Sequence, residues 1–325
     1  MRAWVRLVRG GSLAALPFVL CLTAACSSGQ KVSRLGMPFP SPEDAVRTLG
    51  ETVRTEDPVK IESVLGPGGH DLVRSGDDVA DHNGRERFIQ AYGEKSRIEM
   101  TDVDHAILHV GDLDWPFPIP IVKRSEKWYF DSDAGREEVL NRRIGKNELS
   151  TIQVCLAIVD AEREYARQDR DGDGVLEYAQ QFRSTPGAKD GLYWEAKEGE
   201  ETSPLGPLAA RAFLEGYGKP RGPEDPAGPR PYHGYYFRIL KGQGEHAKGG
   251  AYDYMAGGNL IGGFAVLASP AEYRVSGVMS FLVNHDGVVF QKDLGKDTEK
   301  TALAMQLFDP DSTWTAMPPP ENAQP

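Results

Sequence analysis

The stretch STIQVCLAIVDAEREYARQDRDGDGVLE, residues 150–177, carries an apolar stripe straight into a run of carboxylates. Ile152, Leu156, Val159 and Arg163 recur at steps of three and four, with Cys155, Tyr165 and Ala166 beside them. That spacing predicts one buried face of an amphipathic helix ending at Arg167. Asp169, Asp171, Asp173 and Glu177 follow on a backbone broken by Gly172 and Gly174, too acidic and glycine-rich to continue the helix. The sequence on either side differs in composition, so this helix reads as the spine of a second domain.

Downstream, residues 232–240, 260–268, 277–284 and 288–292 are β-rich runs bounded by glycine-containing turns, and Asp286-Gly287 is a strong hairpin signal between the last two. Three or four antiparallel strands packed on the spine helix are expected. Residues 195–230 form a long connection rich in Gly and Pro, with a helical island at 207–217. Upstream, Ser41-Pro42-Glu43-Asp44 is a helix cap, and Ala45, Leu49 and Val53 continue a helical stripe. A second short helix starts at Asp57-Pro58, and a third spans residues 85–95. The period then changes to two, with strands at 105–110, 117–122 and 127–130. Helices followed by strands, twice over, predict an α+β fold.

The first residues carry an address. Arg2, Arg6 and Arg9 precede the apolar run 13–22, and Thr23-Ala24-Ala25-Cys26 follows, the order of a secretory signal. The expected parts are a signal peptide 1–25, a flexible tether 26–40, an N-terminal α+β domain 41–135, a C-terminal helix-plus-sheet domain 136–313 and a disordered tail 314–325. Removing Arg2, Arg6 and Arg9 leaves 34 basic residues against 48 acidic ones, a charge of −14. Such a surface repels phosphate backbones and speaks against nucleic acid as a partner. After processing at Cys26, the remaining Cys155 cannot form a bridge within the chain, so core burial must hold the fold.

Asp169, Asp171 and Asp173 lie on alternate residues before Gly174, the order in which an EF-hand-type loop wraps calcium. Gln180 stands at the twelfth position in place of a bidentate acid, so two readings stay open: a calcium site completed by Glu177, or a solvated acidic turn. His109, Asp112, Asp114 and Trp115 read from their sequence as a turn with satisfied polar groups. Arg142 and Arg143 belong to a solvated or domain-bridging helix face. Tyr232, Tyr235, Tyr236, Tyr252, Tyr254 and Tyr273 are available to stack on glycan or peptide, or to pack as core. The rival reading is an extracytoplasmic hydrolase using His233, Asp253, Ser276 or His285, although no Gly-x-Ser-x-Gly or His-Glu-x-x-His accompanies them.

Cys26 with its preceding residues resembles a bacterial lipobox, with Thr23 where that motif usually has Leu. The resemblance implies a diacylglycerol on Cys26 and anchoring to a membrane outside the cytoplasm; plain secretion is the alternative. The N-terminal element order is similar to the nuclear transport factor 2-like fold, and that resemblance implies a cone-shaped sheet whose mouth His109, Asp112, Asp114 and Trp115 would line. Tyr232-His233-Gly234-Tyr235-Tyr236-Phe237, Gly249-Gly250-Ala251-Tyr252-Asp253-Tyr254, Trp115-Pro116-Phe117-Pro118 and Asn284-His285-Asp286-Gly287 resemble the bacterial domain-of-unknown-function family numbered 2950, over nearly all the processed chain. That resemblance implies no activity. The helix, irregular connection and β-hairpins of the second half are also similar to the heads of type IV pilins and pseudopilins. Together these features lead to the expectation of an envelope protein with a binding or structural role.

Overall fold

The computed structural model describes residues 36–170, 172–217 and 230–318. Its first helix, α1 (Pro42–Val53), starts where Ser41 accepts the Asp44 N–H at 3.1 Å, and it buries Ala45, Val46, Leu49 and Val53. A Cβ on Gly50 would lie 2.6 Å from the Tyr92 ring, so this glycine sets how closely α1 approaches its neighbour. Helix α2 (Pro58–Leu65) is capped by Asp57, and α3 (His70–Val73) is a single turn. Helix α4 (Asp78–Glu94) begins at an Asp77 cap, seven residues before the expected start.

Strands β1 (Ser96–Met100), β2 (His105–Val110), β3 (Trp115–Pro116), β4 (Ile121–Arg124) and β5 (Lys127–Phe130) form an antiparallel sheet in the order β1-β2-β4-β5, with β3 on β2. Alternation along β2 buries Ala106, Leu108 and Val110, as its period predicts. Ser125 and Glu126, both at positive φ, make the two-residue turn between β4 and β5. The expected strand 117–122 is displaced to 121–124, because 117–120 is interrupted by two prolines that cannot donate to a ladder. Phe39, Leu49, Leu65, Leu108, Ile121 and Phe130 lie in the core between this sheet and the helices.

Helix α5 (Ser132–Tyr165) runs for 34 residues, about 50 Å at 1.5 Å per residue. Its first half belongs to the N-terminal core: Ser132 donates to the Leu65 carbonyl, Arg136 pairs with Asp71, and Arg143 donates to the carbonyls of Asp71 and Leu72 at 2.6 and 2.7 Å. Its second half buries Thr151, Val154, Cys155, Ile158, Val159 and Glu162 against a second sheet. The buried stripe is therefore rotated from the expected one. Ile152 and Leu156 pack only partly, and Arg163 projects to the surface. Burial pushes the Cys155 thiol up to about 12, which keeps it protonated and inert.

After α6 (Gly206–Leu214) comes β6 (Tyr235–Leu240), followed by the short strands β7 (Gly242–Gln243), β8 (Tyr252–Asp253), β9 (Met255–Ala256) and β10 (Asn259–Leu260). Then follow β11 (Ala265–Pro270), β12 (Met279–Asn284), β13 (Val289–Asp293), helix α7 (Thr298–Ala304) and β14 (Thr315–Ala316). The second sheet is antiparallel in the order β14-β13-β12-β11-β6, and α5 packs on β11, β12 and β13. Leu240, Leu260, Phe264, Phe281 and Phe308 are fully buried here. Trp314 is buried and β14 pairs with β13, so ordered structure passes residue 313, where the sequence places the tail. Helices and antiparallel sheets together make the fold α+β.

Candidate functional site

Asp77 is 2% exposed and sits where the two cores meet. Its Oδ1 accepts the Ala80 N–H that opens α4, while Oδ2 accepts the Tyr217 hydroxyl and the Gly234 N–H, each at 2.8 Å. One carboxylate thus joins the N-terminal helices to the segment after α6 and to the turn entering β6. The turn is tight. Gly234 has φ +76°, and a Cβ there would lie 2.6 Å from Asn147 Nδ2. His233 holds a left-handed φ of +51° without being glycine. The Asn147 amide donates to the Ser276 carbonyl at 2.9 Å, and the Asn83 amide to the Glu215 carbonyl.

Around that clamp lie Tyr217, Tyr232, His233 and Glu215. The His233 ring is 4.2 Å from the Tyr232 ring and 6.0 Å from that of Tyr217, and its Nε2 stands 3.4 Å from Glu215 Oε2. Burial lowers the His233 pKa; Glu215 and Asp77 oppose the shift, while Lys146 and Arg211 add to it. Burial pushes the Tyr232 phenol up to about 12, with Glu215 adding to the effect. Tyr217 is raised by burial and by the Asp77 carboxylate it serves. The arrangement is a neutral imidazole beside a carboxylate, walled by two rings.

The four residues of the hydrolase reading do not assemble. Ser276 is fully buried; its hydroxyl donates to the Glu272 carbonyl and accepts the Glu272 N–H. Asp253 is exposed and caps the Met255 N–H, while His285 packs its ring on Tyr254 and Phe264 in the second core. Tyr235 and Tyr254 are buried core residues, Tyr232 and Tyr273 are half-buried, and Tyr236 and Tyr252 are exposed. The aromatic residues therefore divide between core and surface, and the neighbours Tyr235 and Tyr236 at the start of β6 point to opposite faces.

In the acidic loop, Asp169 accepts the N–H groups of Gly172 and Gly174, at 2.7 and 2.9 Å. Asp173 accepts from Val175 and from the Asn259 amide, and Glu177 from the Leu260 N–H. Asp171 lies outside the described residues, as does Cys26. Among the described residues, no three His, Cys, Asp or Glu side chains come together as a metal-holding group. The loop is anchored at its base by Arg170, whose guanidinium lies 5.2 Å from the rings of both Tyr165 and Trp194 and pairs with Glu201.

At the first sheet, His109 and Asp114 do come together, with Arg97 and Glu99. His109 Nε2 is 3.2 Å from Glu99, and Arg97 holds the Asp114 carboxyl down to about 2. Asp112 stays on the exposed turn, and Trp115 lies beneath the Arg142 guanidinium at 5.0 Å. His109 Nδ1 lies 3.0 Å from the Asp114 carbonyl, while its buried Nε2 has the Glu99 carboxylate nearby but no hydrogen bond. Sequence reasoning singled out His233 but missed Asp77, Tyr217 and Glu215, which no short spacing connects to it.

The profile of the family described as "Protein of unknown function (DUF2950)" matches residues 37–317, and the chain belongs to that family. No curated protein and no solved structure matches the chain, so the likenesses to nuclear transport factor 2 and to pilin heads rest on element order alone.

Proposed function

We propose that this member of the DUF2950 family is an exported, lipid-anchored envelope protein that binds a protein or glycan partner without transforming it. Export and anchoring rest on the signal-like residues 1–25 and on Cys26, which lie outside the described residues. The observation carrying the binding half is how the acids are used. Asp77, Glu148, Glu162, Asp169 and Glu177 all accept backbone N–H groups, as structural acceptors do. Trp115, Tyr236, Tyr252, Phe213 and Leu214 are meanwhile exposed, the residue types that anchor contacts with other molecules.

One test addresses each half. A Cys26→Ser chain is expected to lose diacylglycerol labelling and leave the membrane fraction; unchanged labelling and fractionation defeat the anchor. The specific observation favouring a hydrolase instead is the approach of His233 to Glu215, a base beside an orienting acid. Turnover of chromogenic esters or glycosides by the purified protein, abolished in His233→Ala, would overturn the binding reading. The acidic loop we assign to calcium. Asp169, Asp171 and Asp173 alternate before Gly174 in the order of an EF-hand-type loop, with Glu177 as the fourth acid, and Asp169 and Asp173 are held on the glycine turns.

A further inference from the structure

An open sheet ends in strands whose outer N–H and C=O groups lack a neighbouring strand, and several such edges are closed in this chain. Phe39 exchanges both main-chain bonds with Trp128 on β5, at 2.8 and 2.9 Å. In the second sheet Tyr232 closes Tyr235 at the start of β6 in the same way, Tyr254 donates to the Lys241 carbonyl just past its end, and β14 is two residues long. Strand β1 has no such cover. The Lys95 carbonyl accepts the Gly111 N–H and Thr101 donates to the His105 carbonyl, each at 2.9 Å, so the odd-numbered residues of β1 bond to β2. Ser96, Ile98 and Met100 then turn their main-chain groups outward, and none of these groups has a hydrogen-bond partner among the described residues.

The plain explanation is an edge that water solvates and that the charges of Arg97 and Glu99 protect. Such charges repel an incoming strand only if it sets the same sign opposite each of them. In SRIEM they flank Ile98 with opposite signs, so the segment is its own complement when reversed. An antiparallel second copy centred on Ile98 sets Arg97 opposite the partner's Glu99, and Glu99 opposite the partner's Arg97. Parallel pairing in register would set like charges together. The apolar surface favours the same occupant: Ile98 and Met100 share the core face with Leu108 and Ala106, yet Met100 is 49% exposed and Val103, in the turn that follows, is 81% exposed.

We infer that two copies of this chain pair antiparallel through β1 about a two-fold axis at Ile98, joining their first sheets into one continuous sheet. In that register Ile98 exchanges both main-chain bonds with the partner's Ile98, while Ser96 and Met100 exchange theirs with the partner's Met100 and the partner's Ser96. Every outward N–H and C=O of the three residues is then satisfied. A two-fold contact uses the same edge in both copies, so assembly stops at the dimer. The inference depends neither on the lipid anchor nor on the binding reading.

The test uses the full chain carrying Cys26→Ser, so that no acyl group contributes to association. Sedimentation from micromolar to millimolar concentration is expected to show a monomer–dimer equilibrium, and the amides of Ser96, Ile98 and Met100 are expected to exchange hydrogen more slowly as the dimer fills. Arg97→Glu, which sets like charges opposite each other on both sides of the axis, is expected to weaken dimerisation about thirtyfold; adding Glu99→Arg to it is expected to restore the dimer. Arg97 also holds Asp114, so the exchange of the chain with β1 unaltered gives a second reading that does not depend on how these variants fold. A monomer at every concentration, with exchange unchanged, would overturn the inference, and so would a dimer indifferent to the charge changes. A chain that stays monomeric while an acetylated Thr-Val-Thr-Val-Thr peptide slows exchange at Ile98 would assign the edge to a foreign strand and refute pairing between copies.

Discussion

Glu162 is the most exacting place to test the reading of α5. Its carboxyl is fully buried against the second sheet; Oε2 accepts the Ala179 N–H at 2.8 Å, and Oε1 has no hydrogen-bond partner. Burial raises its pKa well above the ordinary 4.5, and the single N–H offsets only part of that. The sign of the linkage follows. A group whose folded pKa is raised contributes its stability fully below about 4.5, and that contribution is lost as pH rises toward the folded value. Within that window the folded state loses about 1.4 kcal/mol per pH unit. Glu162→Gln keeps a carbonyl for Ala179 and removes the proton. Urea unfolding at pH 5, 6, 7 and 8 should therefore show the stability difference, variant minus wild type, rising with pH at that slope until the folded pKa is passed. Asp81, raised by burial, and His233, lowered by burial, also shape the wild-type curve, but both are present in the variant and cancel in the difference. Parallel curves for the two proteins would refute the buried, proton-holding Glu162.

Two further outcomes test the junction and the acidic loop. Asp77→Ala leaves the Tyr217 hydroxyl and the N–H groups of Gly234 and Ala80 without their acceptor, and a loss of about 4 kcal/mol is expected from three orphaned donors; a change under 1 kcal/mol would mean the clamp is dispensable. Calcium at about 100 times its dissociation constant is expected to stabilise chelator-treated protein by about 2.7 kcal/mol, seen as a higher melting temperature that Asp169→Ala abolishes. No shift at millimolar calcium would leave the loop a solvated turn.

Much of this architecture was legible one element at a time. Ser41 and Asp57 announce their helices because a capping oxygen next to proline is a local signal, and β2 announces itself because Ala106, Leu108 and Val110 alternate. The hairpin at Asp286-Gly287 joins β12 to β13 as its dipeptide predicts. The start of α5 was not legible. Residues 136–147 read as a solvated or domain-bridging helix face, and no short spacing says that Arg136 and Arg143 are occupied by groups about seventy residues earlier in the chain. Strand β1 was missed because SRIEM, on the sheet edge, offers only two apolar positions, Ile98 and Met100, and buries neither fully. The junction was illegible for a stronger reason. Tyr217 and Gly234 are 140 and 157 residues from Asp77, and a lone Asp before a helix predicts a cap and nothing more. Its second role exists only once both halves have folded against each other.

One uninterrupted helix belongs to both hydrophobic cores, with Ser132 and Gly135 in the first and Ile158 and Glu162 in the second. Melting either core strips packing from half of that helix, and a half-packed helix is poorly stable in water on its own. Cooperativity is thereby built into the covalent chain: the molecule is wired to unfold as a unit, and a cut in the middle of α5 would cost both halves rather than release one.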